Sequence, residues 1–469
     1  MPNADQIIAA LNYPTSGKLA GNTPIILFGD SLEQHNGSGA NSAGSEEFSN
    51  WSRGSMNWAQ MLLPAGQFLN WFDISRTSKY FYGCNQGISG NELSQMAART
   101  ADVTQFTNAK VVVMGGGTNS INSTTALADM KTDFLTCFNA FRAADMRVII
   151  LAVPHRDIIT VPTAWSSSSS SVASKITKVN AFNTWLQSLA DADPNNVKIV
   201  RRDYLTADDV DNGLATPACI QSDGVHFTPK GGYNIAVGNA TYLGLAAQIN
   251  ALVDPHTEFP AASTSGDLSP NPTLTGTSGT ASTGATGSVA TSFTVTRESG
   301  STGVSVVASK VTVGDIAYQK LVFTRDGTGG TVAVFTLKSD ISTGLPTVGE
   351  WYRGWMQFWK EASTTDGFQG ISMQCRQQPS TPANSNHYAM KTDTGLLWPN
   401  NQLGSEAVPL WQSTPPFVIK AGCQPWVSGA KILFNATITI DNTVAGTDTV
   451  YVSRMHLIPR KNPLHSLGI

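Results

Sequence analysis

Charge is scarce in this chain. Of its 469 residues only 13% are Asp, Glu, Lys or Arg, and 30 basic residues nearly balance 33 acidic ones, for a net charge of −3. Soluble domains usually carry about a quarter charged residues. No basic patch supplies the electrostatic footprint that nucleic-acid binding requires, so no nucleic-acid partner is expected. No apolar run is long enough to span a bilayer, so no membrane partner is expected either. The opening residues, Met1-Pro2-Asn3-Ala4-Asp5, do not read as a signal peptide. Cysteine is also sparse. Five cysteines, an odd number, do not form a closed disulfide framework. Cys84 and Cys219 each lie a few residues before a segment singled out below, which leaves a bridge between them open beside the reading of reduced, buried thiols.

What is plentiful is Gly, Ser, Thr and Asn, a composition that suits an extracellular or virion-exposed surface. The most informative segment is Gly29-Asp30-Ser31-Leu32, directly after the apolar run Pro24-Ile25-Ile26-Leu27-Phe28. A buried strand ending in a tight turn delivers Ser31 to the carboxyl edge of a sheet, where open α/β sheets bind ligands. A serine hydroxyl needs a base and an oxyanion site to act as a nucleophile. Asp223 and His226, in Ser222-Asp223-Gly224-Val225-His226-Phe227-Thr228-Pro229, are three residues apart and can point the same way. His226 would take the proton from Ser31, and Asp223 would orient the imidazole. Taken alone, the same segment reads equally as a helix start with Asp223 as its cap. Gly90, in Ser89-Gly90-Asn91, and Asn119, after the strand-like Val111–Met114 run and Gly115-Gly116-Gly117, can supply an N–H and a side-chain amide. With the Ser31 N–H they make three donors for a developing oxyanion.

Together these segments resemble the SGNH (GDSL-type) hydrolases. The family's nucleophile falls on Ser31, its glycine on Gly90 (with Asn85 before and Arg99 after), its asparagine on Asn119, and its Asp-x-x-His on Asp223 and His226. The likeness covers about the first 250 residues. One position departs from it: the usual Gly-x-Asn-Asp of the third block ends here on Ser120. The resemblance implies a flavodoxin-like three-layer α/β/α fold and ester or thioester hydrolysis with no metal or other cofactor.

Periodicity agrees independently. Apolar residues recur at helical spacing in 124–144, 172–189 and 231–252, and near-continuous apolar strands occupy 147–153 and 197–200. Strands alternating with helices of this length predict a parallel sheet covered on both faces. Two loops, 33–57 and 157–171, are expected on the catalytic edge. The second contains six consecutive serines (Ser166–Ser171) and Trp165, a candidate lid or substrate contact. His35 and His155 read as surface histidines without a role.

The expected domains are 1–254, a hydrolase; 255–290, a Pro/Thr/Ser/Gly-rich linker and first strand; and 291–469, a β-sandwich. From about Ser292 the pattern has period two, as in Thr331–Leu337 and Ile432–Ile440. This region resembles carbohydrate-binding jelly-roll modules. Its Trp351/Trp355/Trp359 face reads more readily as core than as a sugar platform, since aromatics dominate cores. The whole sequence thus suggests a carbohydrate O-acetylesterase acting on an acetylated polysaccharide, with the Thr/Gly-rich linker hinting at a phage tail-associated protein, virion-associated or extracellular. A homo-oligomer, a trimer if a tail component, is left open, since nothing in the sequence shows oligomeric state. Rival readings are a lipolytic esterase or thioesterase, an acyltransferase, and a non-catalytic receptor-binding protein.

Overall fold

The computed structural model describes residues 17–42, 45–62, 83–123, 125–165, 172–255, 265–342, 346–378, 384–391, 398, 403–405, 409–419 and 430–460. The aromatic run at 80–82, the serine run at 166–171 and the fifth cysteine at 423 lie outside them. Contacts divide the described chain into two compact units, one of residues 17–37 and 53–255, the other of residues 38–52 and 265–460.

The first unit is built on five parallel strands in the spatial order Asn85–Gly87, Ile25–Gly29, Val111–Met114, Arg147–Leu151 and Val197–Val200. Numbered along the chain, that order is 2-1-3-4-5, the flavodoxin-like winding, whose switch point lies between the first and third strands. Ser31 follows the first strand and Asn119 the third, so the winding itself brings both to one crevice. The strands are buried along almost their whole length. This is why they read as continuous apolar runs rather than as alternating ones.

Helices Leu127–Ala143 and Val172–Ala192 pack together on one face with Leu93–Ala97. Phe134 of the first meets Phe182 of the second edge-on at 5.9 Å, and Phe141 meets Phe28 of the sheet edge-on at 5.2 Å. Each such fully buried side chain contributes about 1.5–3 kcal/mol. Helices Ser55–Leu62, Pro229–Val237 and Leu245–Leu252 cover the other face. The single helix expected over 231–252 is therefore two. Gly238 (φ +81°) turns the chain, and a Cβ on it would stand 2.3 Å from the Gly244 nitrogen, so the break closes on two glycines in near contact.

The second unit holds an eight-stranded and a seven-stranded sheet. Their long strands alternate inward apolar and outward polar residues, as in Val304–Val313, Phe368–Gln378 and Lys431–Ile440. Phe323 of one sheet meets Phe335 of the other at 5.2 Å, so the sheets face each other across a shared core. In the strand Trp351–Lys360 both faces are covered. Trp355 and Trp359 are buried, and Trp359 stacks on Tyr451 at 3.7 Å. That face is core. The end of the stretch read as linker and first strand is strand as well: Ser278–Ala281 and Ala285–Gly287 pair into the two sheets.

The middle of the loop expected after Ser31 belongs to the second unit. Its strands Gly37–Ser42 and Ser45–Trp51 extend the eight-stranded sheet, the latter pairing parallel with Asn384–Lys391. A Gly/Ser/Asn-rich segment carries no helix signal, and an unpaired edge strand offers it a ready ladder of backbone groups. Phe48 stacks on His387 at 5.1 Å and fixes the register.

Candidate active site

The strand Ile25–Gly29 ends beneath a four-residue helix, Ser31–Gln34, with Ser31 at its first position. Asp30 caps this helix by accepting from the Leu32 N–H at 3.0 Å. Glu33 reaches back to accept from the Asp30 N–H, also at 3.0 Å, which closes a capping box. Such a tight return needs space. A Cβ on Gly29 would lie 2.1 Å from one Glu33 carboxylate oxygen and a Cβ on Gly115 2.1 Å from the other. The buried Glu33 carboxylate then accepts from the Arg202 guanidinium at 2.5 Å. Nothing in the sequence pairs residues so far apart, and this buried ion pair beneath the serine was not foreseen.

His226 closes on Ser31 from the other side. Its Nε2 stands 2.9 Å from Ser31 Oγ and its Nδ1 2.5 Å from Asp223 Oδ2. Asp223 Oδ1 also accepts from the backbone N–H groups of Val225 and His226. Burial favours the protonated carboxyl, but the His226 ring and these two N–H groups outweigh it and hold Asp223 well below the usual carboxylate range. The alternative role of Asp223 as a helix cap is taken by Thr228, which accepts from the Gly231 N–H at the start of Pro229–Val237. Gly224 (φ +75°) makes the turn between the two. A Cβ there would press on Ala164 and Val161, and the Gly224 carbonyl accepts from the Asp157 N–H. The 157–165 loop thus buttresses the Asp223–His226 turn.

Two backbone donors are left open in the same way. Around Ser31, the Asp30 and Leu32 N–H groups are used by Glu33 and Asp30, whereas the Ser31 N–H has no acceptor among the described residues. Around Gly90, the Ser89 N–H donates to Gln34 and the Asn91 N–H to Ile88, and the Gly90 N–H between them again has none among the described residues. Gly90 has φ +80° and open space where a Cβ would be. Asn119 donates one amide N–H to the Asn91 carbonyl at 3.1 Å. That leaves its second amide hydrogen for a ligand.

Arg99 ties these parts together. Its guanidinium donates to the Gly29 carbonyl (2.7 Å), the Gln86 carbonyl (2.8 Å) and Asn91 Oδ1 (2.7 Å), and lies over the Phe28 ring at 4.4 Å. Asn91 is thus held by Arg99 at its side chain while it holds Asn119 with its carbonyl. Ser120, which stands where the family pattern has aspartate, accepts from the Leu93 N–H at 2.9 Å and pins the helix Leu93–Ala97 to the Asn119 turn. The departure changes the group that braces the turn and leaves a brace in place.

His35 corrects the surface reading. It caps the Ser31–Gln34 helix at its C-terminus, and its ring lies 4.2 Å from that of His226, tilted by 38°. The signal was present: His35 is four residues after Ser31, one helical turn. His155 is buried as well, not on the surface. Trp165 is only 1% exposed, with the Arg156 guanidinium 4.4 Å above its ring. It packs the loop from inside and offers no open face to a substrate. Cys84 and Cys219 are both buried, and no disulfide joins them. No group of three or more His, Cys, Asp or Glu side chains among the described residues could hold a metal ion, and no described helix is long and apolar enough to cross a membrane.

Residues 27–232 match the sequence model of the GDSL-like Lipase/Acylhydrolase family. The likeness read from the motifs therefore holds, and the first unit has the fold of these hydrolases. A search of curated proteins finds no match. Similar solved structures include a carbohydrate esterase family 3 protein from Talaromyces cellulolyticus (19% identity, 46% of this chain and 92% of that one, TM-score 0.31). Others are a Clostridium thermocellum family 3 carbohydrate esterase (18%, 49% and 98%, TM-score 0.33) and a lipase/acylhydrolase from Enterococcus faecalis (16%, 50% and 99%, TM-score 0.34).

Proposed function

We propose that the first unit is a serine esterase that removes O-acetyl groups from a polysaccharide. One observation carries the esterase reading: a serine, an imidazole and a carboxylate stand in line, at 2.9 Å and 2.5 Å. Ser31 Oγ attacks the ester carbonyl while His226 Nε2 takes its proton. The Asp223 carboxylate holds the imidazole with Nδ1–H turned toward it and stabilises the imidazolium. The Ser31 and Gly90 N–H groups and the Asn119 amide receive the oxyanion, and their worth lies in being fixed before charge develops. His226 then protonates the leaving alcohol, and water repeats the steps to release the acid.

Composition and architecture favour an acetylated glycan as the substrate. The chain is poor in charge and rich in Gly, Ser, Thr and Asn, and a two-sheet β unit accompanies the hydrolase unit. Two assays test this. Hydrolysis of p-nitrophenyl esters should fall steeply beyond acetyl, and acetate should be released from at least one member of a panel of acetylated bacterial and plant polysaccharides. Activity that rises with acyl length, with no acetate from any glycan, would favour a lipolytic esterase instead.

A further inference from the structure

We infer that His35 is a positioning residue whose neutral ring holds the His226 imidazole in line with Ser31. The inference rests on the serine-esterase reading above. Hydrogen bonds fix the two ends of the His226 ring, Nε2 at Ser31 and Nδ1 at Asp223. Two in-line anchors still leave a flat ring free to rock about the axis that joins them. The face contact at 4.2 Å with the tilted His35 ring blocks that motion on one side. His35 is itself fixed, because its backbone N–H donates to the Ser31 carbonyl at 3.0 Å in the turn that carries the nucleophile. Nucleophile and ring support are thereby one rigid piece, and a shift of one carries the other with it.

The contact needs a ring that stays uncharged when His226 gains its proton. Burial first, then the charges of His226 and Arg53, press the His35 pKa down to about 3, against a smaller opposing pull from Asp223. His35 therefore remains neutral at working pH, and its π face meets the imidazolium without repulsion. Its Nδ1 is buried without a hydrogen-bond partner, so that atom does not hold the ring in place. What His35 contributes is a flat neutral surface rather than a proton.

Three variants test this, each checked for unchanged thermal unfolding and compared with wild type and Ser31→Ala on p-nitrophenyl acetate. His35→Ala and His35→Gln should lose roughly tenfold in kcat with KM nearly unchanged, because ring alignment matters in the transition state more than in binding. His35→Phe, which restores a flat ring with no titratable nitrogen, should recover most of that loss. Wild-type kcat in His35→Ala would overturn the inference. So would a Gln variant that works beside a Phe variant that does not, since a nitrogen would then be the active part. If wild type and Ser31→Ala hydrolyse the ester equally, the esterase reading itself fails.

Discussion

Both units bury charge, and they settle it differently. In the second unit Asp448 lies in the core with both carboxylate oxygens occupied. Oδ2 accepts from Arg325 at 3.0 Å, and Oδ1 accepts from Ser363 and faces Lys360 at 3.5 Å. In the first unit Asp30 is just as deeply buried, beside the Glu33–Arg202 pair, yet its Oδ2 has no partner. His35 Nδ1 close by is likewise unpartnered, and the Ser31 and Gly90 N–H groups have no acceptor among the described residues. A buried polar group left unmatched costs free energy and calls for an explanation. The completed network around Asp448 holds a fold together. The groups named in the first stand around Ser31, where unspent donors are what a reaction requires.

The contrast can be broken from either side. Removing the base should have the largest effect: His226→Ala should lower kcat/KM on p-nitrophenyl acetate by roughly 10³–10⁴-fold with the melting temperature little changed. A loss below tenfold would mean that the in-line geometry does no chemistry. In the second unit the cost should fall on stability. Asp448→Ala takes the carboxylate from the buried Arg325, while Lys360 still faces Asp366 at 3.3 Å, and breaking a buried pair in this way costs about 3–5 kcal/mol, visible as a lower denaturation midpoint.

Smaller effects sharpen the comparison. Arg99→Met frees Gly29, Gln86 and Asn91 together, so kcat should fall by about tenfold or more while KM holds, because the oxyanion donors are loosened rather than the substrate surface. Asp30→Asn should be the mildest. Burial, then the nearby Glu33 charge, push the Asp30 pKa up to about 7, against the N–H of Leu32 and the charges of Arg202 and Arg156. Folded protein therefore keeps a proton that the unfolded chain releases near pH 4, and stability is lost as pH rises from about 4 to 7. Asn still caps the helix and has no proton to lose. The variant should melt a few degrees above wild type at pH 8 and level with it near pH 4, as read by calorimetry. A gain only at low pH would reverse the sign and refute the assignment.

Much of the first unit was legible from local pattern. Buried parallel strands announce themselves as runs such as Val111–Met114, and Ser31, Gly90, Asn119, Asp223 and His226 each stand at a strand end or turn that the pattern marks. What escaped was non-local. Glu33 pairs with Arg202, 169 positions away, and only the fold brings them together. The strand Ser45–Trp51 finds its partner at Asn384–Lys391, and a Gly/Ser/Asn-rich stretch carries no sign of which edge it will meet. Trp165 misled because an aromatic inside a long loop suggests a lid, when Arg156 and the loop backbone had closed over it. His35 is the instructive miss: its i+4 spacing from Ser31 was visible, but a lone histidine in a polar loop reads as surface.

The central claim is that Ser31 is the nucleophile of an esterase. The most direct measurement is the rate of p-nitrophenyl acetate hydrolysis by wild type and Ser31→Ala at equal concentration and equal thermal stability. The account predicts turnover by wild type and a fall to near background in the variant. Equal rates in the two would contradict it.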